Sequence, residues 1–136
     1  MLLLHVGAER TSVAGATLAL GAHSIARDHF RHDPPSALEL ENAIAAIEDE
    51  LARAQHAIAR GATFRTGDAT VREIAAAAGV PRRAEMTLAR EAVEQIFQRL
   101  AARAPGLPAG GEFAATLLIL RELMHHLDVA SIRIDA

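Results

Sequence analysis

Asp33-Pro34-Pro35 divides the chain more sharply than any other feature, because two consecutive prolines fix the backbone and remove the amide donors that a helix needs. Whatever follows must begin afresh. Ser36 with Glu39 three residues on has the spacing of a capping box, which predicts a helix opening at Ala37. From there Leu40, Ile44, Ile47, Leu51, Ala54 and Ile58 recur at alternating steps of four and three, one apolar stripe of a 3.6-residue period. Glu41, Glu48, Asp49, Glu50 and Arg53 fall off this stripe and are expected in solvent, as a charged helix surface rather than a catalytic carboxylate pair. Arg60 suits the negative end of this helix, and Gly61 its left-handed closure.

Before the break the residues favour extended structure. Residues 2–6 form an apolar run stopped by Gly7, as expected of a strand buried on both faces in a sheet interior. Residues 11–15 and 16–20 complete a meander, and residues 22–30 leave room for one or two helical turns. After the long helix, residues 63–66 predict a short strand. Thr70 with Glu73 offers a second capping box for a helix over 71–78, ended by Gly79, Val80 and Pro81. A further helix is expected from about Ala84 to Arg103, with Ala89, Val93, Ile96 and Leu100 on one face and an Arg90–Glu94 pair on another.

The loop APGLPAGG precedes residues 113–127, which are apolar almost all round. A helix of that kind is buried from more than one direction, either by the chain's own helices or by a partner. Ile132 and Ile134 alternate with polar residues and predict a closing strand. The order β-β-β-α-β-α-α-α-β in 136 residues predicts a single α/β domain. Its sheet is mixed and five-stranded, with a meander on one side and helix-linked parallel strands on the other.

Composition removes several chemistries. The chain has no cysteine, hence no thiol nucleophile, disulfide or thiolate metal site. Lysine is absent too, which excludes Schiff-base chemistry and a P-loop lysine. A formal charge of −3 offers no general attraction for nucleic acid or an anionic membrane. The apolar runs are too short to span a bilayer and residues 1–4 do not make a signal peptide, so a cytoplasmic location is expected.

Two motifs invite specific functions. His29 with His32, and the adjacent His125 and His126, raise the question of a metal. Adjacent helical residues point about 100° apart, however, and no Asp or Glu is seen to join either pair, so no metal site is expected. His5 reads as a core or rim histidine. The stretch TVREIAAAAGVP looks like the first helix and turn of a helix-turn-helix DNA reader, with Ala75 and Gly79 at that motif's spacing and Arg82 and Arg83 available for phosphates. Glu85 occupies the position where the second helix wants a buried aliphatic residue, and the acidic balance also argues against nucleic acid.

Three stretches together resemble a known family. LALGAHSIARDHFRHDPPSALELENAI, the Thr66-Gly67-Asp68-Ala69-Thr70 turn, and PGLPAGGEFAATLLILRELMHHLDVASIRIDA are similar to the second half of the exopolyphosphatase/guanosine pentaphosphatase (Ppx/GppA) proteins. These belong to the actin-like ATPase superfamily, whose two halves are ribonuclease H-like. The resemblance implies a ribonuclease H-like half with phosphate-binding positions at Gly7, Arg10, Thr11, Gly67 and Thr70, and Mg²⁺ as the cofactor of any activity. The family's phosphate loop, D-x-G-G-G-S-T-E, falls on His5 to Ser12, where only Gly7 and Thr11 match. Glu9 puts negative charge where an anion would sit, and the family's catalytic glutamate lies in the other half. The resemblance therefore implies a fold more than an activity: a module without catalytic residues of its own, acting by binding or assembly, as a homodimer or with a partner that supplies the missing half. The alternatives are a phosphoanhydride hydrolase completed by such a partner, and a DNA-binding regulator.

Overall fold

The structure, a computed structural model, describes residues 1–135. Three strands open it, β1 (Leu2–Val6), β2 (Thr11–Val13) and β3 (Ala16–Leu18), followed by helices α1 (Ala22–His29) and α2 (Ala37–Ala54). Then come β4 (Phe64–Thr66), α3 (Ala69–Ala77), β5 (Met86–Ala89), α4 (Arg90–Ala101), α5 (Gly111–His126) and β6 (Ser131–Ile134). The sheet has six strands in the order β3-β2-β1-β4-β6-β5. β1, β2 and β3 form an antiparallel meander, β1, β4 and β6 run parallel, and β5 returns antiparallel at the edge.

The mixed sheet, the meander and the interior place of β1 are as expected; the sixth strand is not. β5 and α4 together replace the single helix expected from Ala84. Met86 and Leu88 are buried and Thr87 and Ala89 exposed, the alternation of a strand with one covered face. Pairing with β6 satisfies the backbone groups on one of its edges, so a tertiary ladder overrides the helical propensity of this alanine- and glutamate-rich stretch. The same strand removes the helix-turn-helix reading. After Gly79 the chain makes a loop and enters the sheet, while Arg82 pairs with Glu73 and Glu85 with Arg133. Within α4, Val93, Ile96 and Leu100 are buried as expected, but Arg90 pairs with Asp128 and Glu94 with Arg121 rather than with each other.

β1 is interior without being covered on both faces. Leu4 is buried, whereas Leu3 is 57% exposed and His5 is also exposed. Ser12, Thr17, Arg65 and Thr87 share that uncovered side, while Val13, Leu18, Phe64, Leu88, Ile132 and Ile134 are turned the other way and buried. One side of the sheet carries the helices and the other is open.

Among the helices α5 is central, touching α1, α2, α3 and α4. Phe113 through Leu120 are all buried, as are Leu123, Met124 and Leu127. The apolar surface of this helix is covered by the chain itself and offers no interface. Gly111, its first residue, is pressed against α1 so closely that a Cβ would lie 2.8 Å from the Cβ of Ala26.

The cap after Asp33-Pro34-Pro35 forms as expected: Glu39 N–H donates to Ser36 Oγ at 3.3 Å, and Ser36 N–H to Glu39 Oε1 at 2.9 Å. α2 ends at Ala54, with a 3-10 turn over Gln55–Ala57, so Arg60 lies beyond it and donates instead to His126 O at the end of α5. Gly61 is left-handed there (φ 73°). The Glu39 carboxyl is held down to about 2, chiefly by the Ser36 N–H and further by the Arg31 N–H and His32. A carboxyl depressed on folding stabilises above its unfolded pKa and loses that contribution as pH falls through the folded one. Wild type should therefore exceed Glu39→Gln in thermal midpoint near neutral pH, and the gap should close as pH falls from about 4.5 to about 2. A gap independent of pH would exclude this cap as its source.

Candidate functional site

β1 and β4 are parallel neighbours, so their C-terminal ends bring two turns side by side: Gly7 to Arg10 leading into β2, and Gly67-Asp68 leading into α3. In open sheets such strand ends are where ligands bind. Asp68 ties the two turns together. Its Oδ2 accepts from Val6 N–H at 2.7 Å, its Oδ1 lies 2.5 Å from His5 Nδ1, and its own N–H donates to Thr66 Oγ1. The carboxylate is 13% exposed and the imidazole 62%. His5 therefore stands in front of a sheltered carboxylate, with Nε2 unpartnered among the described residues and beside the bare backbone of Gly7, where a Cβ would lie 3.5 Å away. An imidazole held this way can donate or accept a proton at Nε2.

Because Asp68 is committed to β1, it does not cap α3 with its side chain. The helix starts at Ala69, which places Thr70 within the first turn, half-buried, so the capping box expected from Thr70 and Glu73 does not form.

The Gly7 to Arg10 turn is folded onto α1. Gly7 N–H donates to Arg10 O at 2.9 Å, Gly7 O accepts from Ala22 N–H, and Ala8 O accepts from His23 and Ser24 N–H. The first amides of α1, a natural place for an anion, are thus satisfied by carbonyls of the turn. This approach needs a glycine, since a Cβ on Gly21 would lie 2.3 Å from Gly7 O. Glu9 reaches over to Arg27 at 2.9 Å. Thr11 is fully buried and its hydroxyl donates to Leu20 O. Arg10 is exposed, and its guanidinium makes no hydrogen bond within the described residues.

Of the five positions expected to meet phosphate, Gly7 and Gly67 lie at adjacent strand ends, and Thr70 sits in the first turn of α3 beyond Gly67. Arg10 projects from the turn, while Thr11 faces the core. Sequence reasoning passed over His5 and Asp68 as a pair. Alternation along β1 puts His5 on the side of Leu3, and T-G-D before a helix reads as a cap; nothing in either pattern couples them across 63 residues. The larger cavities lie elsewhere. A groove of ≈410 Å³ between α1 and α2 borders this site only through Glu9, and another of ≈370 Å³ lies between α3 and the loop before α5.

No protein-family model matches the sequence, and neither does any curated protein. Solved structures do match in three dimensions. The Ppx/GppA enzyme of Aquifex aeolicus superposes over 98% of this chain and 52% of its own, with TM-score 0.75 and 14% identity. An exopolyphosphatase of Cytophaga hutchinsonii superposes over 99% and 52%, with TM-score 0.74 and 13% identity. An exopolyphosphatase-like protein gives TM-score 0.71 at 13% identity. The chain has the fold of half a Ppx/GppA phosphatase.

It spans about half the length of those Ppx/GppA structures. At such identity the likeness to Ppx/GppA concerns the path of the chain, while the chemistry of the site rests on the residues present. Those residues are His5 against Asp68, a turn carrying Glu9 and Arg10, and an inward Thr11. Asp68→Ala should leave Val6 N–H without an acceptor and cost about 1–3 kcal/mol in denaturant unfolding. Amide exchange should accelerate at Val6 and not within α5. Unchanged stability and exchange would mean that Asp68 does not hold the two turns together.

Proposed function

We propose that this chain is a Ppx/GppA-type half without phosphatase activity of its own, which acts by binding or assembly. The observation that carries this reading is the Gly7 to Arg10 turn. Phosphoryl transfer depends on positioned N–H groups, cations and a base around the anion. Here Glu9 occupies the turn, Thr11 faces inward, and the helix amides behind the turn are already capped by its carbonyls. A negative side chain in a phosphate cradle opposes the ligand, and the loss of one oxyanion-type donor alone costs ~10² to 10³ in rate.

Association is supported by the open side of the sheet, where Leu3 is 57% exposed. This chain matches only about half of each of the solved structures, which supports as partner a second copy of this chain or a separate protein supplying the other half. The setting proposed is cytoplasmic; among the described residues no helix is long and apolar enough to cross a membrane.

A second reading keeps the phosphatase chemistry. The unpaired Arg10 can grip phosphate through two hydrogen bonds, and His5 can move a proton. Completed by a partner half, the pair of turns would then hydrolyse a phosphoanhydride such as polyphosphate or guanosine pentaphosphate, with Mg²⁺ supplied at the cleft.

Phosphate release from both substrates with Mg²⁺ separates the non-catalytic reading from a phosphatase completed by a second copy of this chain. The expected result for the isolated chain is background release, unchanged by Arg10→Ala or His5→Ala. Robust turnover abolished by either substitution would overturn the non-catalytic reading. Light scattering at tens of micromolar is expected to give the mass of a dimer. A monomer would remove self-assembly and leave a separate partner.

A further inference from the structure

Away from the strand ends, a second group of ionisable side chains meets between α2 and α5. Glu122 and His126 are one turn apart on α5, an i,i+4 pair that points the same way, and Glu48 reaches them from α2. One ligand atom from each of the three lies within 4.8 Å of the other two. His126 Nε2 is 3.2 Å from Glu48 Oε2 and 3.8 Å from Glu122 Oε1.

Glu122 makes this more than a surface ion pair. Its side chain is only 5% exposed, which is rare for a glutamate. Arg121 Nη1 donates to Oε2 at 2.7 Å, but Oε1, the oxygen turned to Glu48 and His126, accepts no hydrogen bond among the described residues. On a side chain this buried, that oxygen is open to a positive or donating partner. Burial pushes the Glu122 carboxyl above its ordinary value against the pull of Arg121, and the neighbouring Glu48 charge adds to the rise. His126 also borders a cavity of ≈250 Å³ lined by Gln55, His56, Arg60 and Leu127, which gives solvent access beside the cluster.

We propose that Glu48, Glu122 and His126 form a binding site for a divalent transition-metal ion that clamps α2 to α5. One imidazole and two carboxylates, with no thiolate, suit Zn²⁺, Mn²⁺ or Co²⁺, whereas Mg²⁺ prefers an all-oxygen shell. The ion takes the place of the proton between His126 Nε2 and Glu48, meets the unpartnered Oε1, and completes its coordination with water. Arg121, on the other oxygen, fixes the orientation of the Glu122 carboxylate. The site shares no residue with the two turns at the strand ends, so it stands or falls independently of any phosphatase chemistry.

The test is calorimetric titration of the full chain with Zn²⁺, paired with the visible absorption of bound Co²⁺, for wild type, Glu48→Gln, Glu122→Gln and His126→Ala. Glu48 is 45% exposed, so its substitution leaves the fold intact even if the Glu122 or His126 variants do not fold. The expected result is saturable one-to-one binding and a raised Tm with Zn²⁺ but not with Mg²⁺. Glu48→Gln should weaken binding at least about tenfold, while Glu41→Gln on the same helix changes nothing. Absence of saturable binding would overturn the proposal. Binding equal in wild type and Glu48→Gln, which would assign the ion to other histidines, would overturn it as well.

Discussion

A helix that is apolar on every side cannot sit at a surface, and α5 imposes that condition on the whole molecule. To bury Phe113 through Leu120 together with Leu123 and Met124, the other four helices must surround it on one side of the sheet. Close approach is bought with small residues, as where Gly111 meets Ala26. The consequence is a lopsided layering. With the helical material gathered around α5, the opposite side of the sheet keeps only its own side chains, Leu3, His5, Arg65 and Thr87 among them.

This explains which features were legible in the sequence. Local signals with local partners could be read directly: Ser36 with Glu39, the stripe Leu40, Ile47 and Leu51, and the meander before Gly21. Features set by long-range pairing could not. β1 is apolar enough to suggest two covered faces, but coverage depends on where the helices go, and Leu3 gives no sign that they go elsewhere. β5 becomes a strand because β6 offers it an edge, and its four residues are too few for their alternation to outweigh a helical neighbourhood. The Glu122–His126 pair has a simple i,i+4 spacing that was open to reading. Glu48, brought in from α2, was not.

Arginine carries the remaining connections. In the absence of lysine, each cation ends in a planar fork with several donors, a shape suited to gathering carbonyls. Arg72 collects Arg83 O, Ala84 O and Asp135 O, which binds the loop after α3 to the end of β6. Arg103 holds Pro34 O and Pro35 O, and Asp33 accepts from Gly110 N–H, so the Asp33-Pro34-Pro35 turn is fastened to the loop before α5. Arg60 closes the end of α5. These arginines are loop fasteners, whereas Arg10 and Arg83 are exposed and their guanidiniums make no hydrogen bond or ion pair within the described residues.

The two turns at the strand ends separate the residues that the fold needs from those that a ligand would meet. The meander, the parallel pair β1 and β4, and the close packing of Gly21 on Gly7 O depend on backbone geometry that Gly7 and Gly21 supply whatever stands at positions 8 to 10. An anion at this turn would meet those very positions. Ala8, Glu9 and Arg10 are exposed and bear no packing load, so a phosphate cradle there is free to change without cost to the core. His5 follows the same logic on the open side, where only Asp68 constrains it. Architecture and chemistry are therefore carried by different residues within one turn, and the residues that carry chemistry are those that the fold does not hold in place.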